Sequence, residues 1–496
     1  MKITLFLLSF IVYFLFFYRH EALFISQYYH RKRYFLTLFQ EYKTRMKKRF
    51  YQFLILSFLF FLFFLSSFYI VLFFLLGWLL YYFLSTPYIP FKKTRRSITL
   101  LITCLVLLGI LLYFSPSFFY IFYAILVPIF VPFLLALSAL IVTPYEKCIQ
   151  HYYIRQAKKK LRMNPNLQVI AITGSYGKSS FKKFLYQFLK TKYQVIMTPK
   201  SVNTPMGITK FINENLEENI EIIILEFGVD EKGGMDRLLK IVVPQIGVLT
   251  AVGKMHLKTF HSLEGIYQEK RKLIDQAKKG YFSLDSDFLK ERQDELPNKE
   301  GYSYHEYFSA IKRTEQGLEV EYRKERITIP VYGLFQLENI SGAIKIALSL
   351  GVSYRDIRCV LPSLEGVEHR FTKRKEETLT IFDDAYNSNE KGMLEAIQTV
   401  MLQKGKKAII TPGIIELGED YERVNQNIGR HLMGFKKIYV VSKEKKHPIY
   451  EGYLQQGGDK NCIEFVSCFK EGYKKCKDEK MDVLLIANDA FSTYLK

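Results

Sequence analysis

The chain has 496 residues, enough for two to four domains, and a net charge of +22 that at first sight suggests a nucleic-acid partner. That charge is unevenly spread, because residues 1–163 hold 20 Lys/Arg against 3 Asp/Glu while the remainder holds 50 against 45. Positive charge gathered beside long apolar runs is juxtamembrane charge facing anionic lipid, which sets nucleic acid aside as a partner. The six cysteines form no close CxxC pair, so zinc binding is disfavoured and all six read as unpaired thiols.

Apolar runs occupy Ile3–Tyr18, Tyr51–Leu84, Ile98–Phe114 and Phe118–Val142. A helical span needs about 20 residues. No small-residue cleavage site follows the first run, so it is taken as an uncleaved span. Nine Lys/Arg between Arg19 and Phe50, the group Lys92, Lys93, Arg95 and Arg96, and the group Arg155, Lys158, Lys159, Lys160 and Arg162 should all face the cytoplasm. The first two groups share a side only if Tyr51–Leu84 is a hairpin turning near Ser66-Ser67. The reading is then about five spans within residues 1–150; a single pass through that run gives four. The spans carry almost no charge, which offers no proton relay or ion pathway. They read as an anchor, or as a surface for a lipid-linked substrate or a partner.

From Gln168 onward, short β-branched runs alternate with amphipathic helices. The strand candidates are Val169–Thr173, Ile222–Leu225, Gly247–Ala251, Thr380–Phe382, Ala408–Thr411, Ile438–Val441 and Val483–Ile486. Buried runs separated by helices predict parallel α/β sheets. The polar stretch Glu365–Arg370, after a helix expected over Asn339–Leu350, marks a division. The fold class is therefore α/β: an N-terminal multi-span membrane region, a parallel-sheet P-loop ATPase domain over residues 160–363, and a smaller Rossmann-like α/β C-terminal domain over residues 364–496.

Ile172-Thr173-Gly174-Ser175-Tyr176-Gly177-Lys178-Ser179-Ser180 joins the first of these strands to a helix. A strand, a glycine turn and a helix N-terminus gather backbone N–H groups around one point and hold a polyphosphate. Gly174, Ser175, Gly177, Lys178, Ser179 and Ser180 are the candidate ATP-binding residues. Lys178 would neutralise the outer phosphates, and Ser179 would offer its hydroxyl to Mg²⁺. Only two residues separate the glycines, where the common nucleotide-binding loop has four.

Further motifs follow in order: Asn203-Thr204-Pro205-Met206-Gly207-Ile208, Leu225-Glu226-Phe227-Gly228, Val252-Gly253-Lys254-Met255-His256-Leu257, Glu269-Lys270-Arg271-Lys272-Leu273 and Asp383-Asp384-Ala385-Tyr386-Asn387-Ser388-Asn389. From about Leu167 to the C-terminus the chain resembles the Mur ligase family, ATP-dependent amide-bond formers of peptidoglycan synthesis, in its D-alanyl-D-alanine-adding branch. The resemblance implies an ADP-forming ligase that activates a carboxylate as an acyl phosphate for attack by an amine. It implies ATP and Mg²⁺, with Ser179, Glu226, His256 and a carbamylated Lys270 as metal ligands. For Lys270 the residues alone leave a second reading open, a solvated basic face shared with Arg271, Lys272 and Lys278.

The resemblance further assigns Lys178, Glu226, His256 and Lys270 to catalysis, and Asn339, Arg370, Asp384 and Asn387 to the nucleotide. The last three would close over it from the C-terminal domain after a hinge motion. Asp383-Asp384 has a second reading, as the N-cap of a helix over Glu390–Val400. Glu416-Leu417-Gly418 would border the pocket of the incoming amine. The implied partners are the lipid bilayer, an envelope-precursor carboxylate, an amino acid or dipeptide amine, and membrane-bound proteins of envelope synthesis. The implied location is the bacterial plasma membrane, with the catalytic domains cytoplasmic.

Two features depart from the family pattern. Membrane runs stand where the family has a domain that grips a UDP-sugar, and Ala487-Asn488-Asp489-Ala490-Phe491 replaces an expected Lys-Gly-Ser-Arg-like segment. Phe335-Gln336 also stands where the pattern has His-Asn. Ligases of another envelope or capsular polymer, including poly-amino acids, and a non-catalytic nucleotide-binding regulator therefore remain alternatives.

Overall fold

The computed structural model describes residues 94–113 and 119–488, apart from 200–201, 254, 256, 387–388, 416 and 443–446. The runs Ile3–Tyr18 and Tyr51–Leu84 lie outside the described residues. The chain divides into a unit Met1–Tyr152 and a unit Tyr153–Lys496.

In the first unit, α1 (Arg95–Tyr113) starts at a reciprocal pair of bonds between Thr94 and Ser97. Ile98, Ile102, Val106 and Ile110 recur every four residues and form one exposed apolar stripe, while Leu100, Cys104 and Leu108 are buried. α2 (Phe119–Met163) does not stop at Val142, where the apolar run ends, but continues as one helix through the basic segment. Lys, Arg and Gln are good helix formers, so the loss of apolar character is no reason to stop. Its part Phe133–Met163 is long and apolar enough to cross a membrane; the apolar part of α1, Arg96–Ile110, is shorter. Arg96 Nε lies 2.6 Å from Glu146 Oε1, pairing the start of α1 with α2 just beyond its apolar run.

In the second unit, β1 (Gln168–Thr173) is buried on both faces. Ile170 and Ile172 enter one apolar core and Val169 and Ala171 the other, as the two-residue period of a strand requires. The first core receives Phe181, Phe184, Leu185 and Phe188 of α3 (Lys178–Leu189). The second receives Ile208 and Ile212 of α4 (Pro205–Asn215), Leu238 of α5 (Gly234–Leu239), and Ile266 and Leu273 of α6 (Leu263–Gln276). β2 (Val195–Met197), β3 (Ile222–Glu226), β4 (Ile246–Leu249), β5 (Lys279–Ser283) and β6 (Glu300–Tyr302) complete a six-stranded parallel sheet in the order β2-β3-β1-β4-β5-β6.

An antiparallel sheet of β7 (Phe308–Thr314), β8 (Gly317–Tyr322) and β9 (Glu325–Ile329) follows. Its buried side, including Leu318, Val320 and Ile329, extends the first core. α7 (Phe335–Ser349) packs against α3 through Leu337, Ile340 and Ile344, and α8 (Tyr354–Val360) follows it.

The second six-stranded sheet begins at β10 (Thr372–Glu376), an antiparallel edge strand beside β11 (Leu379–Asp384). α9 (Glu390–Met401), β12 (Lys407–Thr411), α10 (Tyr421–Arg430), β13 (Lys437–Val441), α11 (Pro448–Gln455), β14 (Ile463–Val466), α12 (Phe469–Asp478) and β15 (Val483–Ala487) follow in the chain. The strand order is β10-β11-β15-β12-β13-β14, parallel apart from β10. All seven strands expected from sequence are present. Ion pairs tie the two sheet layers together: Arg313 Nη2 reaches both oxygens of Glu395 at 2.8 and 3.0 Å, and Lys391 Nζ lies 3.3 Å from Glu338.

All six cysteines are free. Cys104 and Cys476 are buried, and Cys148 and Cys359 are exposed.

Candidate active site

The carboxyl ends of the parallel strands carry the polar groups of the site, where an open α/β sheet presents its ligands. Thr173, Thr198, Glu226 and Thr250 stand at or just after the ends of β1, β2, β3 and β4, and all four are buried. Between β1 and α3 the loop turns at Gly174 (φ +153°) and Gly177 (φ +82°). Both conformations favour glycine. A Cβ on Gly174 would collide with Thr250 Oγ1, and one on Gly177 would stand 2.5 Å from Asn339 Oδ1. The loop is pinned from its flank: Ser175 N donates to Ala251 O at 2.7 Å, and Thr250 Oγ1 donates to Tyr176 O at 2.5 Å. Gly177 caps α3 without a side chain, so the first N–H groups of the helix face the cavity uncapped by any side chain. Such an end attracts anions.

Lys178 Nζ donates to Gly174 O at 2.8 Å and to Ser175 O at 3.4 Å. Burial pushes its ammonium down to about 8, against the pull of Glu226; Arg370 and Lys182 add to the lowering. Ser179 Oγ donates to Glu226 Oε2 at 2.9 Å. Burial alone would raise the Glu226 carboxyl, but Lys182 and Lys178, with bonds from Lys182 and Ser179, outweigh it and hold the group below the usual carboxylate range. The carboxylate is thus anionic and beside a hydroxyl, a hard-oxygen pair suited to Mg²⁺. Among the described residues no group of three or more His, Cys, Asp or Glu could hold a metal by itself. The donor set therefore fits a magnesium ion that is completed by nucleotide phosphates and water.

Lys270, on α6, is 3% exposed, whereas Arg271 and Lys272 are themselves nearer the surface and pair with Asp275, and with Asp236 and Glu269, respectively. It therefore does not belong to the solvated basic face. Its Nζ donates to Gly174 O at 3.3 Å and Val229 O at 3.4 Å. Burial pushes it down to about 7, helped by Lys178 and opposed by Asp230 and Glu269.

One cavity is lined by residues from both sheet layers: Ser175 to Ser180 of the loop, Asn339 of α7, Arg370 and Asp384. The arrangement therefore already brings Arg370 and Asp384, two of the three residues expected to close over the nucleotide after a hinge motion, to the phosphate loop. Arg370 stacks with its Cζ 3.7 Å from the Tyr386 ring centre. Asp383, by contrast, is held by His369 Nδ1 at 2.9 Å and accepts from Ala385 N at 3.2 Å, away from this lining. The cap of α9 is Asn389, which accepts from Gly392 N at 2.7 Å, so the capping role proposed for Asp383-Asp384 falls to it. A second cavity shares Tyr176, Ala251, Glu338 and Lys391 with the first and runs to Ile414, Leu417 and Arg423. Burial lifts Glu338, on the wall between the two, to about 7. His256, Asn387 and Glu416 lie outside the described residues.

Sequence reasoning missed Lys182, whose Nζ is 2.8 Å from Glu226 Oε2, and Asn203, whose Nδ2 is 3.4 Å from Oε1. The available signal was Lys182 itself, one helical turn after Lys178 and set among Phe181, Phe184 and Leu185.

Comparison with known proteins places this geometry. Residues 172–347 match the model of the Mur ligase middle domain. The chain carries a Mur ligase middle domain. UDP-N-acetylmuramoyl-tripeptide–D-alanyl-D-alanine ligase of Bacillus subtilis is 27% identical over 286 residues, covering 56% of this chain and 62% of the relative. The Borreliella burgdorferi enzyme of the same name is 28% identical over 296 residues, covering 55% and 62%. The chain thus matches less than two thirds of the length of these curated relatives. Among solved structures, MurF of Thermotoga maritima in complex with ADP aligns with a TM-score of 0.57 at 26% identity, covering 68% of this chain and 80% of that one. MurF of Acinetobacter baumannii aligns at 0.61 and 22%, covering 70% and 79%, which shows the shared fold. The Mur ligase likeness is of the MurF type and lies in the α/β part of the chain.

Proposed function

We propose that this protein is a MurF-like, ATP-dependent amide-bond ligase of cell-envelope synthesis, anchored in the plasma membrane with its catalytic part in the cytoplasm. The observation that carries the proposal is the cavity that joins the phosphate loop, Ser179, Asn339, Arg370 and Asp384, with Glu226 bonded to Ser179 behind its wall. In the reaction, a carboxylate oxygen attacks the γ-phosphorus of ATP, the bond to ADP breaks, and an acyl phosphate forms. An amine then attacks the acyl carbon, phosphate leaves, and the nitrogen loses its proton.

Lys178 and the α3 N-terminus hold the transferred phosphoryl group and its developing charge. Arg370 adds a second cation from the other sheet layer. Asn339 and Asp384 would take the adenine and ribose ends of the nucleotide. Glu226 and Ser179 would hold Mg²⁺, which would supply positive charge to offset that of the phosphates, and the resemblance assigns His256 and Lys270 to a second ion. Lys270 can serve only after carbamylation, in which its neutral amine adds to CO₂ and releases a proton. A lysine lowered to about 7 supplies that neutral amine near neutrality.

The anchor is supported by the exposed apolar stripe of α1, the apolar length of α2, and the Arg96–Glu146 pair. That pair sets the basic start of α1 beside the segment that leaves the apolar run of α2, consistent with both facing the cytoplasm. An acceptor held in the bilayer, such as a peptide on a polyprenyl carrier, would gain effective concentration near the site without a UDP-gripping domain. The test is ADP release by the full chain in lipid, with UDP-linked or lipid-linked tripeptide as carboxylate and D-Ala-D-Ala or single amino acids as amine. ADP release that needs both substrates and is faster with the lipid-linked one is expected. No substrate-dependent ADP release with any pair overturns the ligase reading, and equal rates on both carboxylates overturn the membrane-held acceptor.

A further inference from the structure

The most enclosed charged pair beside the site includes a lysine that the reaction scheme does not use. Lys182 and Glu226 meet at 2.8 Å with side chains only 4% and 3% exposed. Neither Lys182 nor Glu226 is among the residues that line the nucleotide cavity, but Glu226 is one bond from it through Ser179, while Lys182 stands behind Glu226. The same lysine lies 3.4 Å from Thr198 Oγ1, and that hydroxyl accepts from Glu226 N at 3.1 Å. Glu226 is therefore gripped at both its main chain and its carboxylate by one small network reaching from α3 to the end of β2.

The bonds divide the two carboxylate oxygens. Oε2 takes both short ones, from Lys182 and from Ser179 at 2.9 Å. Among the described residues, Oε1 takes only the long contact from Asn203 at 3.4 Å. A carboxylate oxygen with no short bond keeps its lone pairs for a hard cation, and a carboxylate fixed by a buried ammonium cannot rotate to exchange the two. Lys178 meanwhile spends its donors on the carbonyls of Gly174 and Ser175. Two lysines one turn apart on α3 thus have separate tasks, Lys178 at the phosphates and Lys182 behind the carboxylate.

We infer that Lys182 is a positioning residue that fixes Glu226 with Oε1 presented to the nucleotide-bound divalent cation. The inference rests on the reading of Glu226 as a cation ligand. It is tested on the full chain by calorimetric titration with ADP, in EDTA and in Mg²⁺, comparing wild type with Lys182→Met, Lys182→Gln, Lys182→Arg, Glu226→Gln and the Lys182→Met/Glu226→Gln double variant. In wild type, Mg²⁺ should tighten ADP binding. Lys182→Met and Lys182→Gln should bind ADP in EDTA about as wild type does, yet lose about tenfold or more of the Mg²⁺ gain, the range seen when a group orienting a metal ligand is removed. Lys182→Arg should recover most of the gain, and the double variant should match Glu226→Gln alone. A folded Lys182→Met or Lys182→Gln protein with the full Mg²⁺ gain overturns the inference, as does equal weakening in EDTA and Mg²⁺. A wild type with no Mg²⁺ gain overturns the cation-ligand reading itself, a result distinct from these.

Discussion

At the scale of residues, two lysines converge on one carbonyl, Gly174 O, from α3 and from α6. Burial is the main reason both are lowered; Lys178 adds to the lowering of Lys270, while Arg370 and Lys182 add to that of Lys178. Lys178→Ala removes a cation aimed at phosphate and not a core side chain. ATP turnover should fall by about 10²–10³-fold, the scale of one lost transition-state donor, with the melting temperature little changed. Near wild-type turnover would show that the loop does not hold phosphate. For Lys270 the sign follows from a folded value of about 7, well under that of an ordinary lysine. Below it the amine is protonated and inert toward CO₂; above it the amine is neutral. At fixed CO₂ pressure, a ¹³C carbamate signal should grow between about pH 6 and pH 8 and be missing in Lys270→Arg, which should also be inactive because a guanidinium forms no such ligand.

At the scale of elements, the legible strands were those buried on both faces, such as Ile222–Glu226 and Val483–Ala487, whose apolar runs have no competing reading. The missed ones carry weaker signals. β2 and β6 are three-residue edge strands, β7 buries only Phe308, and β8 and β9 mix buried residues with Glu and Arg. The phosphate loop was legible because glycine, lysine and serine have fixed physical duties there. Lys182 was not, because a lysine on an amphipathic helix is ordinarily on the wet face, and only the fold turns this one toward Glu226. The burial of Lys270 was hidden for the same reason among its charged neighbours. The loop itself offers a test, since Gly174 combines a φ of +153° with a closed approach to Thr250. Gly174→Ala should cost about 1–3 kcal/mol of stability in a denaturant titration and abolish ADP binding. A variant with wild-type midpoint and affinity would show that the turn is not strained.

At the scale of the whole molecule, the proposed five-span arrangement rests on charge partition more than on hydropathy. Reporter fusions that are active in the cytoplasm should be active after Phe50, Ser97 and Arg162 and inactive near Ser66 and Ser115. Activity at Ser66 would remove the hairpin and lower the number of spans. A chain shortened to begin at Met163 keeps the phosphate loop, both six-stranded sheets and their ion pairs, so it should bind ADP about as the full chain does. Its ligase rate on a lipid-linked acceptor should fall well below that of the full chain in vesicles. Equal rates would make the anchor dispensable for catalysis.

The distribution of thiols has a practical consequence. None of the six cysteines lines either cavity, and burial lifts Cys476 to about 12, which leaves it unreactive. Alkylating reagents should therefore leave ADP release intact, which gives a clean check by mass spectrometry and rate on the same sample. The two exposed thiols, Cys148 and Cys359, fall in different units of the chain. They are attachment points for a pair of dyes, so energy transfer between them can report on the two units of one unmutated molecule during turnover.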